Sequence, residues 1–202
     1  MPEALAERTE TQIALLDAAK AALRKQGLAG LSTREVAAAA GVPLSQIHYH
    51  FGSKQGLVLA LFEYQNAQLL DRQQHLFGDP ALSLSEQWDR ACDYLDEDVA
   101  SGYVRVMHEL AAAGWSDPEV AKVVRAAFLG WVKLVTAVAE RVETRFGGFG
   151  PFSAEEVGAL VSNAFMGAES LILMGVERNR IPIRQSLRRI GDLIRLAERE
   201  AR

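Results

Sequence analysis

Cys92 is the only cysteine in 202 residues, so no internal disulfide can form and the chain suits a reducing, cytoplasmic setting. No stretch approaches the ~20 uninterrupted apolar residues of a membrane span, so no membrane partner is expected. The first ten residues, MPEALAERTE, are acidic and carry no apolar run, so they do not read as a signal peptide. Gly-rich phosphate loops, nucleophile motifs and His/Cys/Asp clusters at metal spacing are missing as well, which argues against an enzyme, a metal or a cofactor. No segment alternates apolar and polar residues as a strand would. What is present suits a soluble core: 49% hydrophobic and 24% charged residues, enough for one large domain or a small one plus a larger one.

A net charge of −4 argues against a chain that coats nucleic acid indiscriminately. The charge is uneven, however. Residues 1–54 hold six Lys/Arg against five Asp/Glu, and the rest hold 16 against 21, so a slightly basic head precedes an acidic body. Glycine and proline punctuate helical patterns along the whole length. Ile13, Leu16, Ala19 and Leu23 recur at helical spacing over 11–26, with Gly27 as a stop. Ser32 to Glu35 reads as a capping box opening the short helix TREVAAAA. Ser53 reads as the N-cap of a helix of about 24 residues. Later helices are expected over 84–100, 102–114, 117–145, 153–177 and 183–200, which makes an all-α chain of about nine helices.

The segment GVPLSQIHYHFGSK, Gly41 to Lys54, reads as the second half of a helix, turn, helix over 33–50. Ala37 puts a small side chain where two helices cross, Gly41 supplies the turn, and Val36, Val42 and Ile47 form a buried seam. Leu44, Ser45, Gln46, His48 and Tyr49 then face outward, as a helix entering a major groove requires. A metal reading fails on geometry, because His48 and His50, two apart on a helix, point about 200° from one another.

The stretch LSTREVAAAAGVPLSQIHYHFGSKQGLVLALF resembles the DNA-binding domain of the TetR family of bacterial transcriptional regulators in order and spacing over about residues 9–62. The remaining 140 or so residues match that family only in helix lengths and order. The resemblance implies that Arg34, Leu44, Ser45 and Gln46 approach base edges. Arg34 suits guanine, Gln46 adenine and Leu44 a thymine methyl. It also implies that Thr33, His48, Tyr49 and Lys54 hold phosphates beside the amides at the start of helix four. Two departures stand out. Pro43 replaces a frequent serine, so the recognition helix would begin on a proline first turn. The frequent Tyr-X-His-Phe appears as His48-Tyr49-His50-Phe51, which shifts a tyrosine's phosphate contact to His48. Thr33 and Arg34 also fit a plain helix surface, and His50 and Phe51 fit packing roles.

The same resemblance divides the chain into a DNA-binding head, 1–54, and an effector-binding and dimerisation body, 55–202. In the body, Trp88, Tyr103, Met107, His108, Trp115, Phe128 and Trp131 gather aromatic and soft side chains, which serve either a core or an effector pocket. Asn163 and Glu169, with Met166 between them, interrupt the apolar helix VGALVSNAFMGAESLILMGV, where an unsatisfied polar group would cost ~1–3 kcal/mol. That helix is apolar nearly all round and so needs covering on two sides. With the helix over 183–200 it resembles a four-helix dimer interface. The arginines of the last helix read as a solvated face beside that interface, or as a second nucleic-acid patch. The acidic run DYLDEDVA, 93–100, reads as a solvated face. The expected function is a homodimeric repressor released from a palindromic operator in double-stranded DNA by a small molecule. The alternatives are a ligand-independent activator or architectural protein, and an all-α interaction module without DNA binding.

Overall fold

The computed structural model describes residues 8–177 and 180–200, and among them it has nine helices and no strand. In chain order these are α1 (Glu10–Gly30), α2 (Thr33–Ala39), α3 (Ser45–Phe51), α4 (Lys54–Gly78) and α5 (Leu84–Ser101). Then come α6 (Tyr103–Ala113), α7 (Pro118–Phe146), α8 (Ala154–Leu173) and α9 (Ile183–Glu200). Local chemistry sets most starts. Thr9 and Gln12 form a capping box at α1, Ser153 and Glu156 form one at α8, and Asp117 caps α7 just ahead of Pro118. The expected box at α2 is half made: the Ser32 hydroxyl accepts from the Glu35 amide, but the Glu35 carboxylate takes the Gln26 side-chain amide.

Two boundaries differ from the sequence expectation. Gly27 does not end α1. It is a break, at φ 70° and ψ −179°, after which the helix runs one more turn to Gly30. The helix expected over 153–177 stops at Leu173, because Gly175 takes a positive φ. The Val176 and Gly175 amides then return to the Leu171 and Ile172 carbonyls, a Schellman closure.

The described residues form two compact units. One comprises the residues through Leu69 together with Ala100–Ala127, and so holds α1–α3, most of α4, α6 and the start of α7. Its core is filled by Leu16, Val36, Ile47, Leu57, Phe62 and Val104, all essentially sealed from solvent. Burial of a large apolar side chain of this kind contributes ~1.5–3 kcal/mol. Phe62 on α4 stacks on Tyr103 of α6 with centroids 5.7 Å apart.

The other unit comprises Leu70–Val99 and the residues from Phe128 on. Trp88, Leu95, Phe165, Leu187 and Ile194 form one core cluster, and Leu76, Phe77, Leu134, Val135 and Val138 another. Phe165 meets both Trp88 and Trp131 edge-on, at 5.9 and 5.6 Å. The Trp88 indole N–H donates to the Leu187 carbonyl at 2.8 Å, which satisfies the one polar atom of a buried ring.

Ion pairs line α5 and α9. Arg184 meets Asp96, Arg188 meets Asp93 and Arg195 meets Asp89. The acidic run is therefore not simply solvated, since Asp98 also holds Arg72 at 2.7 Å while that guanidinium lies over the Tyr94 ring. Three arginines of the last helix are likewise committed to aspartates, which weakens the reading of that helix as a nucleic-acid patch. Partly exposed pairs contribute only ~0–1 kcal/mol each, so their effect is chiefly to align the two helices. Cys92 lies buried beside them, and burial pushes its thiol up to about 12, so it stays protonated at neutral pH.

Candidate nucleic-acid interface

The turn between α2 and α3 closes by the same Schellman pattern. The Val42 amide donates to the Ala37 carbonyl at 3.0 Å and the Gly41 amide to that of Ala38 at 3.1 Å, with Gly41 at φ 70°. An L side chain at Gly41 would be strained, so this glycine fixes the angle at which the second helix leaves the first. Val36, Ala37 and Ile47 are buried at the crossing, and Val42 is half-buried. Pro43 lies just outside α3. Its carbonyl accepts from the Gln46 amide, and no side chain caps the helix.

The residues expected to meet DNA are exposed or half-buried. On α2, Thr33 is half-buried and Arg34 exposed. At the start of α3, Leu44 and Gln46 are half-buried and Ser45 is exposed. Tyr49 is 80% exposed, with its ring edge-on to His50 at 4.8 Å. His48 is exposed, and one ring nitrogen, Nδ1, lies 3.2 Å from the Gly52 carbonyl. Lys54, exposed, is the first residue of α4. The Ser53 hydroxyl accepts from the Gly56 amide at 2.9 Å, as its capping role required. A 25-residue helix beginning there adds the positive end of its dipole to Lys54.

The residues expected at an effector site are divided between the two units. Tyr103, Met107, His108 and Trp115 fall in the unit that contains the helix-turn-helix, whereas Trp88, Phe128, Trp131, Asn163, Met166 and Glu169 fall in the other. Trp115 is 90% exposed on the turn after α6, not buried in a pocket wall. Asn163 is exposed too, with its amide donating to the Ala159 carbonyl at 3.0 Å. Its polarity therefore needs no interior partner. Tyr103 is buried and donates its hydroxyl proton to the Asn66 amide oxygen at 2.9 Å. Phe128, Trp131, Met166 and Glu169 are half-buried. Glu169 lies near enough to Asp98 to help raise the latter's carboxyl, after burial, the larger cause; Arg72 opposes both.

Several contacts escaped the sequence reading. Gln55 donates to the Asp117 carboxylate at 2.7 Å, and that bond is the main cause of the lowered Asp117 pKa. An Asp before a Pro at a helix start was a readable cap, but its second partner 62 residues away was not. Glu109 accepts the Leu28 amide of α1 at 2.9 Å. Among the described residues no helix is long and apolar enough to cross a membrane.

Residues 15–61, which span α2, the turn and α3, match the family of bacterial regulatory proteins, tetR family. The HTH-type transcriptional regulator CymR of Pseudomonas putida is 43% identical over 68 residues, and the match spans 33% of this chain and 34% of that protein. The chain thus covers about a third of the length of this curated relative. Solved structures are similar over nearly the whole chain. A TetR transcriptional regulator from Legionella pneumophila superposes with a TM-score of 0.72 at 17% identity, covering 93% of this chain and 98% of its own. A Saccharomonospora viridis protein in complex with choline gives 0.73 at 19%, covering 92% and 95%. FadR from Bacillus subtilis, in complex with stearoyl-CoA, gives 0.71 at 12%, covering 89% and 96%. At these identities the likeness carries the fold.

Proposed function

We propose that this chain is a regulator of the TetR family: a cytoplasmic, non-enzymatic, ligand-responsive repressor that binds a palindromic operator as a homodimer. The observation that carries the reading is the helix-turn-helix itself. A glycine-closed turn and a sealed Val36–Ala37–Ile47 seam leave Arg34, Ser45, Tyr49 and Lys54 exposed and Gln46 half-buried. Arg34, Leu44, Ser45 and Gln46 are the base-reading set, and Thr33, His48, Tyr49 and Lys54 the phosphate set. Residues 1–54 supply DNA recognition, and 55–202 supply effector binding and dimerisation.

Dimerisation is assigned to α8 and α9, which carry exposed Leu160, Leu173, Leu193 and Leu196, with exposed Met174 just after α8. These helices span ~30 and ~27 Å, so side by side they present on the order of 600 Å², near the ~800 Å² per partner of a stable interface. A small molecule bound in the body would favour the state whose head spacing does not fit the operator, and so release it. Relatives of this fold solved with choline and stearoyl-CoA support an effector role without naming the effector. Phe128, Trp131, Met166 and Glu169 are the proposed contacts in the body, because Trp88 is already occupied and Trp115 and Asn163 stand at the surface.

Tryptophan emission tests the effector arm. In a Trp115→Phe variant the remaining indoles, Trp88 and Trp131, lie in the second unit. A compound that releases operator DNA should change their emission, and Glu169→Gln should weaken that response while leaving operator affinity within about twofold of the parent. If broad screening finds no compound that does both, the ligand-independent regulator is the better account.

A further inference from the structure

We propose that Glu109, on α6 and outside the helix-turn-helix, is a positioning residue for DNA recognition, acting through the break in α1. Gly27 interrupts α1 at a positive φ, and the extra turn that follows leads through Leu31 to Ser32, the cap of α2. The geometry of this turn therefore determines where the helix-turn-helix begins. A residue of left-handed conformation ends the regular ladder, and the Leu28 amide next to it donates to the Glu109 carboxylate at 2.9 Å. The other Glu109 oxygen accepts from Arg105 Nε at 2.8 Å. The Arg105 guanidinium lies across the break itself, so close that a methyl group at Gly27 would meet it at 2.5 Å.

α6 is fastened elsewhere in the unit as well. Its first residue, Tyr103, stacks on Phe62 and bonds Asn66, both on α4. Its cap, Gly102, approaches Arg24 of α1 so closely that a Cβ there would lie 2.8 Å from Arg24 Cγ. Beyond its far end, in the turn that leads to α7, Asp117 holds Gln55 in the first turn of α4. Helix α6 thus grips α1 at its break and α4 at the Phe62–Asn66 stretch, and the turn that follows it holds the first turn of α4. Since α1 packs on both α2 and α3, the turn that Glu109 caps is where that bracing reaches the DNA-reading helices. Base-edge hydrogen bonds need the recognition helix at its proper depth and angle, whereas phosphate attraction tolerates displacement.

This inference rests on the DNA-binding reading, and its test separates the two. Affinity for a selected operator and for unrelated duplex would be measured on wild type, Glu109→Ala and Glu109→Gln, with thermal unfolding followed in parallel. Glu109→Ala should lose about tenfold or more of operator affinity while binding unrelated duplex as before. Glu109→Gln keeps an acceptor for the Leu28 amide and should recover to within about threefold of wild type. A folded Glu109→Ala protein that binds operator as wild type does overturns the inference. So does an equal loss on operator and unrelated DNA, which marks general destabilisation. Should Glu109→Ala fail to fold, hydrogen exchange on wild type decides: the Leu28 amide should exchange as slowly as the α1 interior, and fast exchange there overturns the proposal. If wild type selects no operator, the DNA-binding reading fails and this assignment falls with it, whereas once wild type selects one, only the Glu109 assignment is at stake.

Discussion

Replacing Leu193 and Leu196 together by glutamate should yield a folded monomer that binds its operator about a hundredfold more weakly, because the second head then gains nothing from the first. Both leucines are more than half exposed on α9 and contribute little to the core of their own chain, so the fold should survive. Two buried charges per subunit would face two more across a two-fold axis, and neither desolvation nor repulsion would have a compensating partner. Leu129→Glu is the control. That residue is similarly exposed but lies on α7, which is not one of the two helices assigned to the subunit contact, and its replacement should leave the dimer intact. Light scattering after size exclusion reads the mass, and fluorescence anisotropy reads the affinity. A double variant that remains a dimer would place the subunit contact elsewhere.

Arg34→Ala and Gln46→Ala should each cost ~1–3 kcal/mol of operator binding and relax preference at one base position per half-site. Lys54→Ala should behave differently. Its exposed ammonium at the α4 start is assigned to a phosphate, so its loss should weaken all sequences alike and lower the salt slope by about one per bound head. Binding to a panel of single-base operator variants at several salt concentrations separates the two outcomes. Sequence-independent losses from all three would mean that another surface of the unit reads the bases.

The parts of the site that were legible in the sequence are those fixed by residues within a turn of each other. Ser32, Gly41 and Ser53 act on amides and carbonyls three to five residues away, so their roles follow from spacing alone. Gly175 was a comparable signal, but the apolar run LILMGV continued the helical pattern through it and masked the stop. Gly27 was read as an end because no short-range feature shows that a chain resumes its helix beyond a break. The acceptor that stabilises this break, Glu109, is 81 residues away. Hydrophobicity misdirected the reading of Trp115: a large ring suggests an interior, yet the Gly114–Asp117 turn carries it outward. Asn163 showed the converse. Its polarity in an apolar helix was plain, but which side it faced depended on how α8 packs, and that side is solvent. The aspartates of α5 needed the same tertiary information, because their arginines come from α9, about 90 residues later in sequence.

The most direct test of the central claim is selection from random double-stranded DNA with the purified full-length protein. Two symmetric heads predict an enriched inverted repeat with half-sites about one helical turn apart, ~34–36 Å, or somewhat wider, bound with steep salt dependence. Wild type should shift a probe carrying that repeat as a dimer, and Gln46→Ala should select the same spacing with one base position relaxed. Recovery of only asymmetric or unenriched sequences would contradict the assignment of residues 33–54 as a DNA-reading head.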